Sequence, residues 1–526
     1  MKIDTRVLLC AAAALALGAG IARAGDEHWS RQFGKPADIS KLAPNTGMIN
    51  EPRVHVAKWH EGKLYMGGNW PTNHDLATGE TGNRWTWLWT WSPEHGYEVL
   101  AHFGLPRGGA GPNGRVHDFI WLPDGRMVVG GEFQQLDNPG GTRFFHVKGL
   151  AVYDPKEPTA DKWRPMGGSF QYHGSMGGPA VKSLAFDPQS NSIYVGGSFT
   201  GIPKGDDPFS PGVHRLDLAS GMIEAMPPGL RGGNVNRVVV DTRTKPSTVY
   251  VGGDFLWTAG NGRLPTLSPN ETTARFSVAL ASYQEGKGWT TYPPDLEEGT
   301  RGGNTDVFSG TSLRPGGDGF LCVRAEVHDI LLDGDDLWIV GSFRAGTKGD
   351  RTLHGIAKWD RASKQWIDPT GKGGVGRDVY AIGKAANGKL YFAGGFGGRA
   401  TNGAFVPGFK DGAPAHMAIS YDPKTGAWEQ LGSGLSSGPI TQCELAIDGD
   451  DVYFVGDFKY IGAGREGKEP SDREWESFYI ARWNETIDFT KSPAQAPAAP
   501  TKPANVFVMP TRPLAQGNEH WSRAFP

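Results

Sequence analysis

One seven-residue pattern recurs seven times along the chain and constrains the fold more than any other feature. The copies are Leu64-Tyr-Met-Gly-Gly-Asn-Trp70, Met127-Val-Val-Gly-Gly-Glu-Phe133, Ile193-Tyr-Val-Gly-Gly-Ser-Phe199 and Val249-Tyr-Val-Gly-Gly-Asp-Phe255. Then come Leu337-Trp-Ile-Val-Gly-Ser-Phe343, Leu390-Tyr-Phe-Ala-Gly-Gly-Phe396 and Val452-Tyr-Phe-Val-Gly-Asp-Phe458. Each is an apolar run, then one or two glycines, closing on an aromatic residue. A unit of this kind cannot bury its apolar faces alone, so its copies must stack on one another.

The neighbours of each copy are also repeated. An apolar strand and a tight turn precede it, as at Asn387-Gly388 and Asp333-Gly334, which are hairpin signals. A variable loop follows, then a third strand such as His354-Gly-Ile-Ala-Lys-Trp359 or Phe478-Tyr-Ile-Ala-Arg-Trp483. A short fourth strand often carries Trp, as at Trp163, Trp289, Trp366 and Trp428. Four such strands make one blade, so the expected fold is all-β, a single seven-bladed β-propeller of four-stranded antiparallel blades over residues 51–490. The paired glycines suit close backbone approach near the crowded axis.

The Gly-Gly, Tyr, Trp order, clearest at Tyr421-Asp-Pro-Lys-Thr-Gly-Ala-Trp428, resembles kelch-type propellers. The Val-Gly-Gly-x-Phe core followed by Ile-Ala-Arg-Trp is similar to bacterial exported proteins with Rax2-like and delta-60 repeats. The resemblance implies the architecture and implies little about activity, because propellers host many functions.

Gly 77, Pro 38 and Trp 18 fit many short strands and turns, and a formal net charge of -3 offers no field for nucleic acid. Residues 1–24 read as a secretory signal: Lys2 and Arg6, an apolar stretch over 7–18, and Ala22-Arg23-Ala24 for cleavage. The expected location is secreted, periplasmic or cell-surface. No other run is long enough to span a membrane as a helix. Cys322 and Cys443 remain after cleavage, either as separate buried thiols or as a pair.

The seventh blade lacks a clear fourth strand. Segment 25–50 offers one in His28-Trp29-Ser-Arg-Gln-Phe33-Gly34, and would close the ring. Residues 491–526 are a Pro/Ala-rich tail that repeats this segment as Glu519-His-Trp-Ser-Arg-Ala-Phe525. Either the copy is a packing strand or duplication remnant, or Trp521, Arg523 and Phe525 dock on another molecule by strand addition and make an oligomer.

Loops after the second strand are long at 71–85, 200–212, 256–276, 397–414 and 459–476, and a blade-to-blade loop is long at 295–324. These share one face, the expected surface for a protein or glycan. The innermost strands align at Val54-His55, Val116-His117, Val181-Lys182, Val235-Asn236, Val327-His328, Val379-Tyr380 and Ile440-Thr441. His55, His117 with Asp118, and His328 with Asp329 therefore gather at the channel mouth. They are either hydrogen-bonded lining or a site for a divalent metal or a substrate. No other cofactor is expected. Trp85, Trp87, Trp89 and Trp91 alternate along one strand, either as inter-blade packing or as an aromatic platform for a glycan.

Asp333-Gly-Asp-Asp336 and Asp448-Gly-Asp-Asp451 lack the spacing of a calcium loop, and no serine-hydrolase elbow, phosphate loop or zinc-protease motif occurs. Three readings follow: a non-enzymatic binding or scaffolding module, an extracellular hydrolase or lyase with a His/Asp site at the channel mouth, or a structural cell-envelope protein.

Overall fold

The computed structural model describes residues 26–30 and 32–33 and most of the chain from Arg53 to Lys491. Residues 1–25, 34–52 and 492–526 lie outside the described residues. So do the segments 74–83, 105–114, 168–179, 199–211, 259–278, 293–307, 346–352, 396–416, 437–442 and 462–474.

Seven antiparallel sheets follow one another, here blades 1 to 7 with strands A to D in chain order. Blade 1 is Arg53–His60, Lys63–Asn69, Arg84–Ser92 and Gly96–Gly104. Blade 2 is Val116–Trp121, Met127–Gly131, Leu150–Tyr153 and Trp163–Pro165. Blade 3 is Ala180–Asp187, Ser192–Ser198, Val213–Asp217 and Ile223–Ala225. Blade 4 is Val235–Asp241, Thr248–Gly253, Leu280–Gln284 and Gly288–Thr291. Blade 5 is Glu326–Asp333, Asp336–Ala345, Leu353–Asp360 and Gln365–Ile367. Blade 6 is Val379–Lys384, Leu390–Gly394, Ala418–Asp422 and Ala427–Gln430. Blade 7 is Cys443–Asp448, Asp451–Gly456 and Ile480–Trp483. Each A strand contacts the A strand of the next blade, and that of blade 7 contacts that of blade 1, so the sheets form a closed ring with A innermost. The chain is a seven-bladed β-propeller. Its described residues contain one 3-10 turn, Asp26–His28, and no α-helix.

The repeat now has a physical meaning. A Cβ on Gly130, the first glycine of its pair, would overlap Val181 of the next blade. One on Gly131 would overlap the carbonyl of Arg115 in its own blade. The first glycine is thus a notch for the neighbouring blade's Val, and the second lets strand A cross at backbone distance. The closing Phe133, Phe255, Phe343 and Phe458 are fully buried between blades.

Beyond strand C of blade 7, Trp29 forms an antiparallel bridge with Trp483. The Ser30 amide donates to Arg482 O at 2.9 Å, and the Asn484 amide donates to His28 O at 3.1 Å. Trp29 is buried against Trp483 and Phe454, and its indole N–H donates to Leu431 O of the blade 6–7 connection at 3.0 Å. Phe33 sits between Trp91 of blade 1 and Tyr453 of blade 7. Residues 27–33 therefore touch the last two blades and the first.

Candidate functional site in the axial channel

Strand A of blades 1 to 6 carries a bulge at one place. Its pairing with strand B skips His55, His117, Lys182, Asn236, His328 and Tyr380. A bulged residue leaves the ladder, and its side chain is re-aimed. Neighbours among these six meet across three blade boundaries. The rings of His55 and His117 lie 5.6 Å apart, and those of His328 and Tyr380 lie 5.1 Å apart. Lys182 Nζ donates to Asn236 Oδ1 at 2.8 Å, and Asn236 Nδ2 donates to Glu326 Oε1 at 3.0 Å. The result is a polar collar around the axis.

The repeat supplies a partner for the collar. In Val-Gly-Gly-x-Phe, residue x of blade 2 is Glu132, whose Oε1 lies 3.3 Å from His117 Nε2. In blade 5 it is Ser342, whose Oγ lies 3.0 Å from His328 Nε2. Burial raises the Glu132 carboxyl, but the bond from His117 and the charges of His117, Arg115 and Lys182 outweigh it, and its pKa is lowered overall. Burial lowers the pKa of His328 against the pull of Glu326, Asp378 and Asp329, which favours neutral imidazole there.

One residue further along strand A is a second tier, with Asp118, Ser183, Arg237 and Asp329. In blade 7 its member is Glu444, which pairs with Val455 as Asp329 pairs with Val340. The sequence alignment placed Ile440-Thr441 on this inner strand. The strand instead starts at Cys443 without a bulge, and Ile440 and Thr441 lie outside the described residues. Cys443 packs in the apolar cluster between blades 6 and 7, and the side chain of Cys322 lies outside the described residues.

The carboxylates of Asp118 and Asp329, expected beside the histidines, hold backbone amides across blade boundaries. Asp118 accepts the amide of Phe119 at 2.8 Å and, across the blade boundary, that of Leu184 at 2.7 Å. Lys58 Nζ lies 2.6 Å from its Oδ1. Asp329 accepts Ile330 N–H at 2.8 Å and Ile382 N–H of blade 6 at 3.1 Å. Ser183 likewise accepts Val238 N–H of blade 4 at 3.0 Å. A buried amide between blades needs an acceptor, and these side chains provide it.

Arg237 spans the lumen. Its Nε donates to Asp329 at 2.6 Å and its Nη2 to Glu444 at 2.7 Å. These acids, with Asp118, hold the guanidinium charged more firmly than usual despite its burial. Glu444 is pushed up to about 7 by burial, with the charges of Asp329 and Asp118 adding to it against the pull of Arg237. Arg237, Glu444 and Glu132 went unnoticed in the sequence. The signal for Arg237 was one step away, in the residue after the aligned pair Val235-Asn236, and that for Glu132 was the variable position of the repeat; Glu444 had none, because its strand lacks the bulge.

The channel thus brings together His55, His117 and Glu132. His328 stands three blades from His117 with its own partners. Among the described residues no group of three His, Cys, Asp or Glu side chains is placed to hold a metal ion. Trp89 and Trp91 are 6% and 2% exposed and lie in the core shared by blades 7 and 1, so they cannot stack a glycan. The side chains of Trp85 and Trp87 lie outside the described residues, as do Trp521, Arg523 and Phe525.

The long loops leave from the collar end, where strand B finishes and strand A starts. Most of their length lies outside the described residues, but their roots are paired. Gln135–Asp137, leaving blade 2, pairs with the end of strand D of blade 1. Trp257–Thr258 pairs with Leu230–Arg231, Arg344 and Ala345 with Phe308–Ser309, and Tyr460–Ile461 with Leu435–Ser436. A partial rim of short ribbons, at four of the seven blade boundaries, therefore stands beside the polar collar.

Fold and collar together define a β-propeller with one decorated face and a charged, side-chain-filled axis. No protein-family model and no curated protein matches the sequence. Solved structures with a similar course include the extracellular domain of a one-component system from B. thetaiotaomicron, 11% identical, with a TM-score of 0.41 over 83% of this chain and 39% of that one. PorZ, a surface component of the type-IX secretion system of Porphyromonas gingivalis, is 10% identical, with a TM-score of 0.43 over 84% and 48%. A puromycin hydrolase is 12% identical, with a TM-score of 0.41 over 82% and 54%. The chain spans about half or less of the length of these structures, and likenesses this distant carry no argument about activity. No helix among the described residues is long and apolar enough to cross a membrane.

Proposed function

We propose that the chain is an exported binding or scaffolding module that takes up a protein or glycan on its loop-rich face. The observation that carries this reading is the ribbon rim. At four blade boundaries the segment leaving strand B is paired to the preceding blade, three times to its outgoing connector and once to the end of its strand D, which anchors the long insertions at fixed roots beside the collar. Ordering such segments costs conformational entropy, and a recurrent investment on one face is what a recognition surface needs. The test compares the wild-type chain with a variant in which 259–278 and 397–414 are replaced by short Gly-Ser links. Both are passed over arrays of envelope glycans and immobilised envelope proteins. The variant is expected to keep its melting temperature and lose at least tenfold in binding; undiminished binding places the function elsewhere.

A second reading, a hydrolase or lyase acting on extracellular polymer, is favoured by the His117–Glu132 contact with His55 alongside. A carboxylate that orients an imidazole is the arrangement of a general base. Polymer-cleaving activity that disappears in His117→Ala, with the fold intact, would establish it.

A further inference from the structure

The seat that holds residues 27–33 has a second candidate occupant in the same chain. Residues 519–525 read Glu-His-Trp-Ser-Arg-Ala-Phe, against Glu-His-Trp-Ser-Arg-Gln-Phe at 27–33, and so differ at one position. The anchors of the first copy are all present in the second. Trp29 fills the space between Trp483 and Phe454, and Phe33 fills that between Trp91 and Tyr453; Trp521 and Phe525 match them. His28 Nδ1 bonds Ile487 O at 2.9 Å, and His520 matches it. The remaining ties run through the backbone: Ser30 N–H to Arg482 O, Asn484 N–H to His28 O, and Phe489 N–H to Glu27 O. Any residue but proline can make those bonds, and 519–525 contains no proline. The substituted position is Gln32, whose Oε1 accepts from Arg482 at 3.3 Å, a long bond whose loss costs little.

Tether lengths also permit exchange. The C-terminal segment departs beside the seat, since Phe489 and Ile487 bond directly to residues 27 and 28. Between Lys491 and residue 519 lie 27 residues (492–518), and between Phe33 and Arg53 lie 19 (34–52). Closure entropy changes only with the logarithm of loop length, so both copies reach the seat at comparable effective concentration. Exchange between two molecules would leave the number of seated strands unchanged and add the cost of association, which favours exchange within one molecule.

We propose that residues 519–525 are an alternative closing strand, exchanging within one chain with residues 27–33 for the seat beside Ile480–Trp483. Either end can then hold blade 7, and the displaced copy is left free with its linker.

Hydrogen exchange on the full chain reads this directly. Undocking of the N-terminal copy exposes the Ser30 amide, and Trp521→Ala removes its competitor. Exchange in the peptide covering Ser30 is expected to slow at least threefold in Trp521→Ala; an unchanged rate overturns the proposal. Melting of Trp29→Ala, Trp521→Ala and the double variant gives a second arm. Each single variant is expected to stay within a few degrees of wild type, while the double variant falls by more than their sum or fails to fold. Trp29→Ala alone as unstable as the double variant overturns the proposal. So does a Trp29→Ala dimer, seen by light scattering, that Trp521→Ala abolishes, because the exchange would then run between molecules.

Discussion

Arg237 of blade 4 reaches across the axis and donates to Glu444 of blade 7, Nη2 to Oε1 at 2.7 Å, while its Nε holds Asp329 of blade 5 at 2.6 Å. One guanidinium therefore braces three blades from inside the ring. Its planar fork suits two carboxylates at once, which an ammonium cannot match.

Removing that brace leaves the buried Asp329 without its cation and takes from Glu444 the charge that offsets its burial. Arg237→Ala is expected to cost about 3–5 kcal/mol in urea unfolding. Arg237→Lys should recover only part of it. A loss below about 1 kcal/mol for Arg237→Ala would mean that the network does not brace the ring.

The same cluster sets a pH dependence. Glu444 is raised from its ordinary 4.5 to about 7. Between these values the folded chain keeps a proton that the unfolded chain has lost, so this group's contribution falls as pH rises through the window and levels off above it. Melting temperature is expected to fall between pH 5 and pH 8 in the wild type and to fall less in Glu444→Gln. Equal slopes would remove Glu444 as the cause.

Asp118 and His117 are neighbours in sequence with different duties. Asp118→Ala strands the Leu184 amide and Lys58, and about 3 kcal/mol of stability should be lost; Asp118→Asn, which keeps an acceptor, should lose less. His117→Ala, in the collar, should cost below about 1 kcal/mol. Chemical denaturation of the three variants separates latch from collar, and equal losses at both positions would refute the distinction.

The notch at Gly130 can be tested by exchange of volume. Gly130→Ala presses a methyl group on Val181 and should cost about 1–3 kcal/mol. Adding Val181→Ala makes room, so the double variant is expected to be more stable than the sum of its single losses. A strictly additive result in a double-mutant cycle would rule out the contact as the origin of the glycine.

The number of blades, their all-β character and five of the bulged inner pairs at Val-His or Val-polar positions were legible in the sequence, as was the sixth at Val379-Tyr380. Each blade pairs its own backbone locally, and local pairing leaves a periodic trace of Gly, Asp-Gly and Trp. The register of blade 7 was not legible, because Cys443–Asp448 lacks the bulge that marks the others. Nor was the use of Asp118, which depends on an amide 66 residues away, or the depth of Trp91, which depends on Phe33 reaching it from outside the repeats. The axis was hidden for the same reason. Arg237 and Glu444 are 207 residues apart, and their contact exists only once the ring has closed. The sequence by itself determined the blade and its repetition; ring closure, which brings distant inner strands face to face, decided which side chains are chemistry and which are mortar.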